Sequence, residues 1–195
     1  MFDVGFPYDY PKSPPALFFQ SVTGEQINPN LYPTGGICLS LLGTWHGEGV
    51  EVWNPATSSL LQVILSIQGL ILGTEEPYFL EAGFEKRKGS SLGNVHSMRY
   101  NPTAILGSLK HSIKSYQLAE QGTYNPELNQ IICRHLETTA QTTIDRIDRY
   151  LNFVSTHENP TSQELHNLFH VPLEGSEGFN QQLRKYKDIY QSTFL

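Results

Sequence analysis

Cys38 is the residue with the clearest chemical potential. It follows Gly35-Gly36-Ile37 in a segment that runs from Asn28-Pro29-Asn30 to Leu41-Leu42. Two glycines just upstream place the sulfur in a loop that another molecule can approach. A nucleophilic cysteine works as its thiolate, and is usually found beside positive charge, a helix N-terminus or a general base. None of these is adjacent in sequence. His46, eight positions on, is of the right type to be a base, yet the glycine-rich stretch that carries it gives no reason for it to be fixed near Cys38. The competing reading is a small buried hydrophobe, the commonest fate of an isolated cysteine. Cys133 lies within a helical pattern and reads as structural.

Other chemistries find less support. His166 and His170 have i,i+4 spacing, but no third ligand is near them in sequence, so no metal site is expected. Gly47-Glu48-Gly49 lacks the following helix and the Gly-Lys-Ser of a phosphate loop. Lys86-Arg87-Lys88 is a short basic run that reads as a solvated loop. With 13 Lys+Arg against 19 Asp+Glu, the net charge of −6 has the wrong sign for a dedicated nucleic-acid binder. Leu60 to Leu72 is interrupted by Gln62, Ser66 and Gln68 and is shorter than the roughly 18 apolar residues that span a bilayer, so no membrane partner is expected. The opening Met-Phe-Asp-Val-Gly has neither the basic nor the apolar region of a signal peptide. Two cysteines so far apart suggest neither a disulfide framework nor a CxxC motif, and a cytoplasmic and/or nuclear location is the expectation.

The elements that must position Cys38 are partly visible. The 195 residues suit one domain, or one domain with a helical appendage. Phe2 to Phe6 alternates as a strand would, and Ala16-Leu17-Phe18-Phe19 after Pro14-Pro15 predicts a second strand closed at Thr23-Gly24. Residues 26–56 hold five Gly and three Pro, a long loop region that contains Cys38. A helix is predicted from about Ser58 to Leu72, with Thr57-Ser58-Ser59 as N-cap, Gly73 as stop, and Leu60, Leu61, Ile64, Leu65, Ile67 and Ile71 as a buried face. Helical signal resumes after Pro102 and runs to about Leu118. A longer helix follows Asn125-Pro126 through Val154 and ends at Pro160, and an amphipathic stretch from Phe179 to Tyr190 closes the chain. Strands first and helices afterwards indicate an α+β fold, a small antiparallel sheet flanked by helices.

These motifs, taken in order, resemble the catalytic domain of ubiquitin-conjugating enzymes. Phe6-Pro7-Tyr8-Asp9-Tyr10-Pro11 with Pro14-Pro15 and Phe18-Phe19 is similar to that family's FP-x-x-YP…PP…F signature. Asn28-Pro29-Asn30 corresponds to its His-Pro-Asn motif, and Gly36-Ile37-Cys38-Leu39 to the nucleophile block eight residues beyond the motif Asn. Trp53-Asn54-Pro55 before a helix matches the family's Trp-x-Pro. Cys38 to Trp45, the insertion Trp45–Val52 and Pro77-Tyr78-Phe79 with Glu81-Ala82-Gly83 are similar to the large hybrid conjugase–ligases. The resemblance implies a conjugating domain over residues 1–120 and a helical C-terminal extension over 121–195.

It also implies roles. Cys38 takes ubiquitin's C-terminal glycine as a thioester from an activating enzyme and surrenders it to a lysine of a protein substrate. Asn30 either donates to the developing oxyanion or braces the loop, and Glu81 orients the incoming amine. No cofactor is implied, since ATP is used by the activating enzyme. The implied partners are ubiquitin, the activating enzyme, protein substrates and, unless the hybrid enzymes' self-sufficiency holds here, a separate ligase. Two departures stand out. The motif His is Asn28 here, and the family's N-terminal helix and first strand have no counterpart before Phe2. The second departure leaves three alternatives open: a fragment, a mis-started reading frame, or a shortened and inactive relative that binds ubiquitin or a partner without turnover.

Overall fold

The structure, a computed structural model, describes residues 1–156, 169–172 and 176–195. It is α+β and divides into two compact units, Met1–Lys88 and Gly89–Leu195.

In the first unit, β1 (Phe2–Gly5) pairs antiparallel with β2 (Ala16–Phe19), Phe2 opposite Phe19 and Gly5 opposite Ala16. The connection is closed by turn hydrogen bonds from Tyr10 to Pro7 and from Lys12 to Asp9. Trp53 fastens it from the far side, its indole N–H donating to the Pro11 carbonyl at 2.8 Å. Helix α1 (Leu60–Ser66) starts at Ser59. The Ser59 hydroxyl accepts from the Gln62 N–H, and the Gln62 side chain accepts from the Ser59 N–H, a reciprocal cap that satisfies two otherwise free donors. The helix runs on as wider π-type turns over Ile67–Leu72 and stops at Gly73.

The face that α1 buries differs from the one expected. Val63, Ile67 and Ile71 are at most 5% exposed and pack with Phe19, Leu31, Ile37, Leu39 and Leu41, while Leu61, Ile64 and Leu65 are exposed. The helix is apolar on more than one side, so spacing alone does not select a face. The i,i+4 stripe Val63-Ile67-Ile71 is the one that meets the sheet and the Cys38 loop.

Among the described residues, the second unit holds three packed helices, α2 (Ser91–Glu120), α3 (Pro126–Thr156) and α4 (Glu177–Phe194). Their core centres on Tyr150, Ile144, Ile147, Leu183 and Val171. Helix α2 begins at Ser91, well before the expected start after Pro102. Ser90 caps it by accepting from the Gly93 N–H, and its early buried positions are Gly93, Ser97 and Asn101. Small and polar residues on the buried stripe give no hydrophobic periodicity, so the sequence pattern does not mark this part of the helix. Pro102 sits inside the helix, removing the N–H that would have bonded the Met98 carbonyl. The predicted stop at Pro160, and His166, lie outside the described residues. No described helix is long and apolar enough to cross a membrane.

Candidate active site

Cys38 is held by hydrogen bonds to its own backbone. Its N–H donates to the Asn30 carbonyl at 2.9 Å, and the Asn30 side-chain amide donates to the Cys38 carbonyl at 2.8 Å. Both residues are 9% exposed. This two-bond clasp ties together positions eight residues apart. On the other side of the cysteine, the Thr44 hydroxyl accepts from the Leu39 N–H at 3.0 Å and donates to the Ile37 carbonyl. The residues flanking the sulfur are therefore fixed from two directions.

Asn28 anchors the clasp to the fold. Its side-chain carbonyl accepts the Asn30 N–H at 2.8 Å, and its amide donates to the Ile71 carbonyl near the end of α1 at 3.0 Å. The side chain is buried, and both its amide nitrogen and its carbonyl oxygen make hydrogen bonds. Between Asn30 and Cys38 the chain makes a tight turn, with the Tyr32 N–H donating to the Gly36 carbonyl and the Gly35 N–H to the Tyr32 carbonyl. Gly35 has φ +94°, and a Cβ there would overlap the Phe18 ring, so the position accepts only glycine without strain. The Phe19 N–H donates to the Gly35 carbonyl and pins this turn to β2.

This turn brings Tyr32 over the sulfur. The Cys38 thiol donates to the Tyr32 hydroxyl at 3.6 Å, and the ring packs beside Gly36. The Tyr32 phenol is raised above its ordinary pKa, first by the hydrogen bond with Cys38, then by the Cys38 charge, by desolvation, and by the charge of Glu81. Glu81 itself follows a short turn, Pro77–Leu80, and is half-buried. The structure thus gathers Cys38, Asn30 and Tyr32 in direct contact, with Glu81 within electrostatic reach of the phenol.

Of the residues singled out from the sequence, Cys38 and Asn30 are joined by hydrogen bonds and Glu81 lies near the Tyr32 phenol; Tyr32 and Thr44, not singled out there, also bond this loop. The available signal for Tyr32 was its place two residues after Asn30 and just before Pro33, where a turn folds the ring back. His46 is exposed, and its backbone carbonyl accepts from the Ser40 hydroxyl at 2.9 Å. The thiol's partner is Tyr32, not His46. Cys133 lies on α3 in the other unit, its thiol pushed up by burial and then by Glu137 and Glu120.

Residues 1–95 match the family model described as ubiquitin-conjugating enzyme. The chain is 49% identical over 109 residues to a probable ubiquitin-conjugating enzyme (E2 23) of Arabidopsis thaliana, covering 56% of this chain and 10% of that protein. It is 42% identical over 137 residues to the human dual E2 ubiquitin-conjugating enzyme/E3 ubiquitin-protein ligase BIRC6, covering 69% of this chain and 3% of the relative. Similarity to a probable ubiquitin-conjugating enzyme (protein 17) of Caenorhabditis elegans extends further, 36% over 190 residues, or 86% of this chain and 25% of that protein. The chain therefore spans a quarter or less of each of these relatives.

Proposed function

We propose that this chain, whose residues 1–95 match the ubiquitin-conjugating enzyme family model, accepts the C-terminal glycine of ubiquitin as a thioester on Cys38 and passes it to a lysine of a protein substrate. The observation that carries this reading is the clasp between Asn30 and Cys38, two short backbone-directed bonds around the one cysteine of residues 1–88. Exchange between thioesters keeps the acyl group activated, so the step depends on placement of the nucleophile more than on a strong base. The clasp, the Thr44 brace and the Asn28 anchor supply that placement.

In the first step the Cys38 thiolate attacks the thioester carbonyl that the activating enzyme presents. A new C–S bond forms and the activating enzyme's thiolate leaves with the electron pair. In the second, a lysine amine attacks the Cys38 thioester, the C–N bond forms, the C–S bond breaks and the amine's extra proton passes to solvent. Asn30 acts here by fixing the Cys38 carbonyl. Glu81, beside the phenol that covers the sulfur, is the carboxylate that orients the amine. Similarity to the human dual enzyme favours transfer without a separate ligase. An intact cysteine in an intact clasp favours turnover over a binding-only role.

The test is a charging assay with activating enzyme, ATP, ubiquitin and the full chain, read on a non-reducing gel beside a thiol-treated control. A thiol-sensitive band shifted by one ubiquitin is expected, lost in Cys38→Ala and retained in Cys133→Ala. No adduct on the unaltered chain, or one that survives Cys38→Ala, overturns the reading.

A further inference from the structure

We propose that the Tyr32 hydroxyl is a working partner of the nucleophile: it holds Cys38 Sγ in the uncharged protein and donates its hydrogen bond to the sulfur as the sulfur becomes anionic. This rests on the reading of Cys38 as the acyl carrier and adds a residue to the first half-reaction. The geometry is specific. The Tyr32–Gly36 turn, glycine-restricted at Gly35 and pinned to β2, folds the ring back beside Gly36 and leaves the hydroxyl 3.6 Å from Sγ. The thiol makes its side-chain contact with this group and not with a basic residue. Tyr32 is 38% exposed, whereas Cys38 is 9% exposed.

The chemistry follows from which proton moves. In the resting state the S–H donates to the phenol oxygen. When solvent removes the thiol proton, the phenol O–H can rotate and donate to the sulfur instead. The phenol has to stay protonated to do this, and its raised pKa, set first by the bond to Cys38 and reinforced by Glu81, keeps it so. Attack then forms the new C–S bond, the leaving thiolate carries off the electron pair, and the tyrosine proton stays where it was. While acylated, the sulfur has no proton to donate and little charge to accept one; it becomes anionic again only as the C–S bond breaks in discharge, when the hydroxyl can donate to it once more.

The experiment is the alkylation rate of Cys38 by iodoacetamide in the full chain carrying Cys133→Ser, with and without Tyr32→Phe. That substitution keeps the ring beside Gly36 and removes only the hydroxyl. Near pH 7 the variant is expected to react about three- to tenfold more slowly, the value of one ordinary hydrogen bond. Near pH 10, above the ordinary thiol value of about 8.5, both proteins should react alike. Equal rates at both pH values overturn the proposal. A faster variant, showing that the hydroxyl only shields the sulfur, overturns it too, as does slowing by the same factor at both pH values. Alkylation needs neither ubiquitin nor activating enzyme. A pH-dependent difference in a chain that fails to charge leaves the Tyr32 coupling standing while the acyl-carrier reading falls.

Discussion

Asn30→Ala separates holding a loop from stabilising an oxyanion. The Asn30 amide donates to the Cys38 carbonyl at 2.8 Å, and both residues are buried. Without it that carbonyl loses its side-chain donor, and an orphaned buried acceptor costs about 1–3 kcal/mol. The same substitution deletes Asn30 Oδ1, a buried oxygen with no partner, and so relieves part of that cost. The net loss of stability is therefore about 1–2 kcal/mol. The second clasp bond survives, because Cys38 N–H donates to the Asn30 backbone. If Asn30 acts only by placing Cys38, charging and discharge slow together, by no more than that free energy, about five- to thirtyfold. A donor to the transition-state oxyanion would instead cost about 10²–10³ in the step where it acts, with folding unchanged. Urea unfolding, single-turnover charging, and discharge of the purified thioester onto free lysine give the three numbers. A hundredfold loss in discharge at an unchanged unfolding midpoint refutes the bracing argument. No change in any of the three refutes the importance of the clasp.

Gly35→Ala forces a side chain onto φ +94° and into the Phe18 ring, a cost of about 2–4 kcal/mol, and should lower the urea midpoint and the charging rate together. Glu81→Gln should slow discharge onto lysine several-fold and leave charging unchanged; equal effects on both steps count against an amine-orienting role. In the helical unit the Tyr150 phenol is pushed up to about 12, chiefly by burial. A raised folded-state value favours the protonated form, so this contribution is full below the ordinary phenol value of about 10 and is lost as pH rises toward 12. Thermal melts followed by helical circular dichroism should fall over that window, and less steeply in Tyr150→Phe.

The legibility of this chain varied with the kind of force involved. The two strands read correctly because their patterning is local and bounded by prolines, Pro7 after the first and Pro14-Pro15 before the second. Helix α3 read correctly because Ile144, Ile147 and Leu151 keep one apolar stripe. The first turns of α2 did not, because Gly93, Ser97 and Asn101 are buried without being apolar. The face of α1 did not, because Leu61, Ile64 and Leu65 match the helical period as well as Val63 and Ile71 do; the choice belongs to what packs against the helix. At the site, Asn30 was singled out only by the resemblance to the conjugating family, and the structure joins it to Cys38. Tyr32 was not, since its contact with the sulfur exists only once the Gly35 turn has reversed the chain.

Asn28 shows what that position in the loop requires. The resembling family carries His there, and an imidazole in its neutral form offers one donor and one acceptor. The structure uses both kinds of bond: a donor to the Ile71 carbonyl and an acceptor for the Asn30 N–H. An asparagine amide supplies the same pair from a smaller side chain, with no proton to gain or lose near neutral pH. The substitution therefore keeps the mechanical link from helix α1 through Asn28 and Asn30 to the Cys38 carbonyl, and removes a group whose titration would break the acceptor half of it. At its anchor, the placement of Cys38 thus involves no group that gains or loses a proton near neutral pH.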